Sequence, residues 1–376
     1  MSLARAFTLS NGVRMPYVGY TAAVYRNEAA IGHSLKRILE QNLVPGLTRQ
    51  DIFLTSKLAV DESLKNLQVD YIDLYLIHWP GTAKLKLPDP QNAVNRTESW
   101  RALEDLYHAK KLRAIGVSNY TLKHLTELVE RPHQTHQHQL SSAAGHTTIQ
   151  DQLSFSSSSP ARLFGNAHGH ARTMVIPHVH QFELHPRLFQ RDLVEYCQNH
   201  RIQVQAYSSL GEGRLVSLTP PPPPPMDAHY NNTPMPGALD IMPDLIRKYF
   251  SVSQDQSELS GQNMDPQSIQ KTWATPSDDM EGVITTCSTT KATNNDHGSD
   301  IEISQSEYTR RSAQILLRWG LQHGAVVIPK STHPERIRNN IDLFSFEIDM
   351  ADMNALDAYS MQGERTRYCW DPTDVF

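Results

Sequence analysis

The chain has 376 residues, of which 35 are Lys or Arg and 40 are Asp or Glu, so its net charge is -5 at pH 7. This length suits one large barrel with extra segments. The negative net charge gives no sign of the basic surface that binds nucleic acid. Three cysteines are too few for a disulfide framework or a zinc site. No run approaches the roughly 18 apolar residues of a membrane span, and the first residues lack a secretory apolar core. We therefore expect a cytoplasmic protein with no metal, no membrane partner and no nucleic-acid partner.

Strand-like and helix-like segments alternate along most of the chain. The sequence begins with a predicted hairpin around an Asn11-Gly12 turn. Strand-like runs follow at 52–57, 71–80, 114–120, 175–186, 202–211 and 325–331, and amphipathic helices are predicted at 97–112, 310–322 and 334–344. Several of the strand-like runs are apolar almost throughout, which is typical of strands buried on both faces of a parallel sheet. The alternation predicts βα units in an α/β fold.

Two stretches depart from this alternation. Residues 132–174 are rich in His, Gln, Ser and Ala, and residues 216–305 contain a run of proline followed by polar sequence. Proline runs favour polyproline II, and low hydrophobicity disfavours a packed core. We interpret both as disordered insertions in a single domain that spans residues 1–376. The histidines of the first stretch could bind a metal, but without a Cys or carboxylate pattern we favour a polar loop.

Three residues near strand ends have the chemistry to protonate a carbonyl oxygen. Tyr25 lies in TAAVYRNE, Lys57 ends the run DIFLTSK and His78 lies in YIDLYLIHWP. A phenol has a reference pKa of about 10, and a neighbouring ammonium group lowers that pKa by stabilising the phenolate. An imidazole can orient the substrate oxygen or share the proton. The sequence thus predicts a catalytic group of Tyr25, Lys57 and His78.

With these motifs the chain resembles the aldo-keto reductases, over about residues 5–131, 175–215 and 306–376. The segments GVSNY, HQFELHP, AYSSLGEG and IPKSTHPERIRNN follow in the order of that family. The resemblance implies a (β/α)8 TIM barrel that uses NADPH to reduce aldehydes or ketones, with a small carbonyl compound as substrate. It also implies a monomer, and places Trp79 in the wall of the substrate pocket. The tail, residues 362–376, corresponds to a loop that shapes that pocket.

The resemblance also implies how NADPH is held. Ser118, Asn119 and Gln181 would bind the nicotinamide carboxamide, and Tyr207 would stack on the nicotinamide ring. The remaining cofactor contacts would be Ser208 and Leu210 at the pyrophosphate, Lys330, Ser331 and Arg336 at the 2′-phosphate, and Asn340 at the adenine. Guanidinium, ammonium and hydroxyl groups suit a phosphate dianion. No G-x-G-x-x-G segment follows a strand, so a Rossmann domain is disfavoured.

The chain departs from the family pattern near its start. VGY leads directly into TAAVYRNE, so the position of the family's catalytic aspartate falls on Tyr20. Roughly two dozen residues, about one βα unit, are absent by comparison with an eight-unit barrel. Three interpretations follow: an active reductase, a catalytically impaired member that still binds NADPH, or the product of aberrant splicing or gene prediction.

Overall fold

The computed structural model describes residues 6–19, 27–57, 59–130, 174–218, 236–250, 303–361 and 365–376. Tyr25 and most of the two predicted insertions lie outside the described residues. Across these ranges, no helix has both the length and the apolar character needed to cross a membrane.

A short hairpin precedes the barrel. Strands β1 (Ala6–Thr8) and β2 (Arg14–Pro16) pair in antiparallel register. The turn closes with a hydrogen bond from the Gly12 amide to the Leu9 carbonyl at 2.9 Å, and Gly12 has a φ of 83°, which a residue without Cβ adopts at low cost. This confirms the hairpin predicted from Asn11-Gly12.

The main sheet has six parallel strands in sequence order. They are β3 (Thr55–Ser56), β4 (Ile72–Ile77), β5 (Leu112–Ser118), β6 (Val179–Glu183), β7 (Gln203–Tyr207) and β8 (Val326–Val327). The helices are α1 (Glu28–Glu40), α2 (Val60–Leu67), α3 (Gln91–His108), α4 (Leu122–Val129), α5 (Arg191–Asn199), α6 (Met242–Phe250), α7 (Gln305–Gln322), α8 (Pro334–Asn339) and α9 (Met350–Ala358). Each predicted strand is present. β5 has the predicted length but lies two residues earlier in the sequence, and the other strands are shorter than their predicted runs. The fold is a (β/α)8-type barrel that lacks part of its repeat.

A further parallel segment locates the missing part. Val18 forms a parallel bridge with Val327 of β8, and the Gly19 amide donates to the Val327 carbonyl at 2.9 Å. Residues 17–19 therefore occupy the place of a first barrel strand beside β8. At the opposite edge β3 pairs with β4, and within the described part of the chain no strand joins β3 to residues 17–19. The interruption falls where the sequence lacks one βα unit.

An apolar groove lies on the same side as this interruption. Its volume is about 360 Å³, and it is lined by Asn27, Ala30, Ile31, Ser34, Leu35, Ile38, Ile52 and Leu54. The helical members project from one face of α1, and Ile52 and Leu54 belong to the segment that enters β3. In a complete barrel the preceding βα unit would cover such a face, because helices of neighbouring units pack side by side around the sheet.

The second predicted insertion needs a correction at residues 236–250. Within 216–305, the segment Met242–Phe250 forms helix α6. Met242, Leu245 and Ile246 are buried, at the spacing of one helical face. The proline run and the polar sequence around this short segment masked its amphipathic pattern. The remaining parts of both insertions, 132–173, 219–235 and 251–302, lie outside the described residues.

A buried charge cluster anchors the amino-terminal end of the sheet. The Asp73 carboxylate, 1% exposed, accepts from Arg49 at 2.8 Å and from the Leu54 amide at 3.0 Å through one oxygen. Its other oxygen accepts from Arg113 at 2.8 Å. The carboxylate therefore ties together β4, β5 and the segment that enters β3.

Candidate active site

The carboxyl ends of the parallel strands bring the predicted residues to one face. Lys57 follows β3, His78 and Trp79 follow β4, and Ser118 ends β5. The strands β6 and β7 contribute Gln181 and Tyr207 near their own carboxyl ends. Because parallel strands all point the same way, their ends meet at the face where barrel enzymes hold their active sites.

Lys57 is half-buried and bonded to a neutral partner. Its ammonium donates to the Ser118 hydroxyl at 3.1 Å. Burial lowers the pKa of Lys57 to about 8, because a low-dielectric environment disfavours the charged form. Among the described residues no carboxylate forms an ion pair with it, and residues 20–26 contain neither Asp nor Glu. A buried lysine without a carboxylate partner shifts its pKa in this downward direction.

His78 lies beside this lysine on the neighbouring strand. The residue is only partly exposed at the strand end, and its main-chain carbonyl accepts from the Asn119 amide side chain at 2.9 Å. Partial burial, and then the positive charge of Lys57, lower the pKa of His78 to about 4. The imidazole is therefore neutral near pH 7, a form that can both donate and accept a hydrogen bond.

A connected polar network runs from this pair toward β7. The Tyr207 hydroxyl donates to the side-chain oxygen Oδ1 of Asn119 at 2.7 Å. The main-chain N–H of Asn119 donates to the main-chain carbonyl of Gln181 at 2.8 Å. Gln181 Nε2 in turn donates to Gln205 Oε1. Asn119 has a φ of 62°, a conformation that asparagine tolerates better than most residues. The network fixes an aromatic ring next to amide and hydroxyl groups.

The loops after β7 and β8 carry the residues predicted to hold the phosphates. Ser208 adopts a φ of 48°, and its hydroxyl lies 3.1 Å from Cys369 Sγ. Leu210 directly precedes a short 3-10 helix, Gly211–Val216. These two residues follow Tyr207 at the same edge of the sheet.

Lys330, Ser331, Arg336 and Asn340 form a second group around α8. Lys330 and Arg336 are exposed, and neither makes an ion pair among the described residues. The Ser331 hydroxyl accepts from the His333 amide at 3.1 Å, and Asn340 is buried. The positive charge of Lys330 acts on Glu212 of the β7 loop, so the β7 and β8 loops lie close together. The structure thus leaves two cations exposed at this end of the site.

Glu183 lies within the segment HQFELHP, and the sequence predicted no role for it. Glu183 is fully buried at the end of β6, and it accepts hydrogen bonds from the main chain of the carboxyl-terminal loop at Tyr368 and Cys369. Trp370 of that loop makes an edge-to-face contact with Trp79 at 6.3 Å between centroids. The available signal was a carboxylate within a strand whose residues are all buried.

A parallel barrel with a lysine, a histidine and an amide network at its strand ends is the arrangement of a barrel enzyme. The model of the Aldo/keto reductase family matches residues 5–360, and the chain belongs to this family. An uncharacterized oxidoreductase, YtbE of Bacillus subtilis, is 28% identical, with 93% of this chain and 91% of the relative covered. Glyoxal reductase of the same organism is 26% identical over 95% of this chain and 93% of its own length.

Solved structures agree in fold. A Bombyx mori aldo-keto reductase in complex with NADP superposes with a TM-score of 0.58 at 22% identity, covering 98% of this chain and 96% of that one. A second silkworm aldo-keto reductase, complexed with NADPH, gives a TM-score of 0.57 at 19% identity and covers 97% and 90%. At these identities the similarity establishes the barrel architecture. The described residues thus form an aldo-keto reductase barrel that lacks part of the repeat.

Proposed function

We propose that this protein reduces aldehydes or ketones to alcohols with NADPH, using Tyr25 as the general acid. The observation that carries the proposal is the hydrogen-bonded series from Lys57 through Ser118 and Asn119 to Tyr207. At one end of this series Lys57 can lower the pKa of a phenol, and at the other end the Tyr207 ring can stack on a nicotinamide. Tyr25 lies outside the described residues, and its role rests on its motif.

The residues present fit the cofactor. Gln181 Oε1 lies 3.5 Å from the Ser118 hydroxyl, which is a weak contact that leaves this oxygen able to accept from a carboxamide. The Tyr207 ring stands beside it, half-buried. Lys330 and Arg336 are exposed cations suited to a 2′-phosphate, with Ser331 as an added donor. Ser208 and Leu210 would border the pyrophosphate, and Asn340 the adenine.

The residues of the chain itself would transfer one proton to the carbonyl oxygen of the substrate. Bound NADPH would supply the hydride to the carbonyl carbon. The Tyr25 hydroxyl would donate its proton to the carbonyl oxygen, and the charged form of Lys57 would stabilise the phenolate that remains. His78, neutral near pH 7, would donate a hydrogen bond that orients the carbonyl. Without the aspartate, Lys57 keeps its charge over a narrower pH range.

The substrate pocket would lie between Trp79 and the carboxyl-terminal loop. Trp370 is 65% exposed, and its contact with Trp79 creates an apolar wall above the strand ends. Such a wall suits a small carbonyl compound with an apolar or aromatic substituent. The activity is therefore best sought first with an aromatic aldehyde.

The test is steady-state NADPH oxidation with 4-nitrobenzaldehyde by the wild type and by Tyr25→Phe. We expect the variant to lose at least 100-fold in kcat, which is the usual contribution of a positioned general acid. Its NADPH affinity, followed by fluorescence, should stay within twofold. Tyr196→Phe is the matched control, because its hydroxyl donates to the exposed Glu130 at the carboxyl end of α4.

Three outcomes separate the alternatives. Equal turnover in the wild type and Tyr25→Phe would exclude Tyr25 as the acid. NADPH binding without turnover in the wild type would identify a cofactor-binding member that has lost catalysis. A folded wild type that neither binds NADPH nor turns over the aldehyde would overturn the proposal.

A further inference from the structure

The environment of Lys57 differs from that of a lysine held in an ion pair. Its side chain lies half-buried at the carboxyl end of β3. Among the described residues it donates a hydrogen bond to the hydroxyl of Ser118, at 3.1 Å, and Ser118 is itself fully buried. The facing titratable group on the next strand is His78. A lysine amine in such a setting is a nucleophile for carbonyl carbon once it is neutral.

We propose that Lys57 captures aldehydes covalently as a Schiff base at this site, in a reaction that needs no NADPH. The site has the parts this requires: an amine, a hydroxyl and an imidazole on three adjacent strands. Because the position of the family's aspartate falls on Tyr20, the chain lacks the carboxylate that the resemblance would pair with this amine. The activity goes beyond carbonyl reduction and does not depend on it.

The reaction balances without an oxidant or reductant. The Nζ lone pair forms a C–N bond to the aldehyde carbon, while the carbonyl oxygen takes up a proton and one N–H proton is released, giving a carbinolamine. That hydroxyl takes up a proton and leaves as water when the C–O bond breaks, while the nitrogen lone pair forms the C=N bond. The resulting iminium then releases its N–H proton to give the imine. The sum is amine plus aldehyde giving imine plus water. Ser118 and the neutral imidazole of His78 are placed to relay these protons.

Burial makes the nucleophilic form abundant. With its pKa lowered to about 8, Lys57 would be neutral in about a quarter of molecules at pH 7.5, against about 0.1% for an ordinary lysine. A lower pKa also reduces intrinsic nucleophilicity, so the expected advantage in rate is smaller than this ratio. We expect a rate at least tenfold above that of exposed lysines.

The experiment traps the imine in the absence of NADPH. The full chain is incubated at pH 7.5 with butyraldehyde and cyanoborohydride, and peptide mapping follows alkylation of each lysine over time. Lys84 and Lys86, both exposed, serve as internal references. We expect Lys57 to be alkylated at least tenfold faster than either reference.

Two variants separate this activity from reduction. Lys57→Arg should lose the fast adduct while the reference lysines react unchanged, provided that its thermal transition matches the wild type. Tyr25→Phe should keep the fast adduct even though we expect it to lose turnover. Alkylation of Lys57 no faster than Lys84 in the wild type would overturn the proposal, whatever the reductase assay shows.

Discussion

The Tyr368 main-chain amide donates a hydrogen bond of 2.7 Å to Glu183 Oε1. The other carboxylate oxygen accepts from the Cys369 amide at 3.2 Å, so a single buried side chain holds two successive residues of the carboxyl-terminal loop. Glu183 also lies opposite Tyr207 in the register of β6 and β7. The carboxylate therefore links the proposed nicotinamide platform to the wall of the proposed substrate pocket.

Substitution of this carboxylate should loosen the loop. In Glu183→Gln an amide group replaces one acceptor oxygen and leaves a buried N–H of the loop without its partner, which costs about 1–3 kcal/mol. We expect the KM for 4-nitrobenzaldehyde to rise about fivefold to twentyfold while kcat changes less than threefold. Glu130→Gln, at the exposed end of α4, is the control. An unchanged KM in a folded Glu183→Gln would show that the loop does not need this anchor.

Arg336 should determine the preference for a phosphorylated cofactor. Its exposed guanidinium is proposed to bind the 2′-phosphate, and hydrogen bonds to charged groups contribute about 1.5–3 kcal/mol. Arg336→Ala should weaken NADPH binding about tenfold to hundredfold and leave NADH binding within twofold, as measured by fluorescence titration. Arg338→Ala is a matched control, because Arg338 is an exposed arginine on the same helix α8. Equal losses in the two variants would point to a general charge effect.

The pH dependence of kcat/KM should follow Lys57. Its pKa is lowered to about 8, so its charge is present below that pH and is lost above it. We expect kcat/KM to fall as the pH rises through about 8, since the neutral amine no longer lowers the pKa of Tyr25. On the acid side His78 stays neutral down to about pH 4 and should cause no loss at pH 5–7. Lys57→Arg should move the alkaline fall upward by more than one pH unit, because arginine stays charged.

The same lysine should make the fold more stable at high pH. The unfolded chain holds the Lys57 proton up to about pH 10.4, whereas the folded chain releases it near 8. The burial penalty is therefore fully present below pH 8 and disappears between pH 8 and about 10.5. Lys57→Met should raise the midpoint of urea unfolding at pH 7 and show a smaller difference at pH 10. A constant difference across this range would argue against a perturbed lysine.

Asp73 should matter for stability and not for chemistry. Removing the charge in Asp73→Asn leaves Arg49 and Arg113 without their shared carboxylate, and breaking a buried ion pair costs about 3–5 kcal/mol. We expect a loss near the lower end of that range in urea unfolding, because Arg113 is half exposed. Asp61→Asn is the control, since its pair with Lys111 lies at the surface and such pairs contribute about 0–1 kcal/mol.

Local motifs predicted which residues lie at the strand ends. Lys57, His78 and Ser118 end or follow strand-like runs, and parallel strands bring their ends to one face. Helix α6 could not be foreseen in the same way, because its nine residues lie within a long stretch of low-complexity sequence. The anchoring role of Glu183 also escaped the sequence, since its partners Tyr368 and Cys369 lie more than 180 positions away.

The sequence alone determined the family, the order of the βα units and the absence of about one unit where VGY meets TAAVYRNE, because these depend on local patterns and their succession. The tertiary structure decided where the interruption falls in space, between β3 and residues 17–19 beside β8. It also decided that Lys57 is bonded to Ser118 and has a lowered pKa. Burial and partner choice depend on side chains that meet only after folding, so no local pattern could have set them.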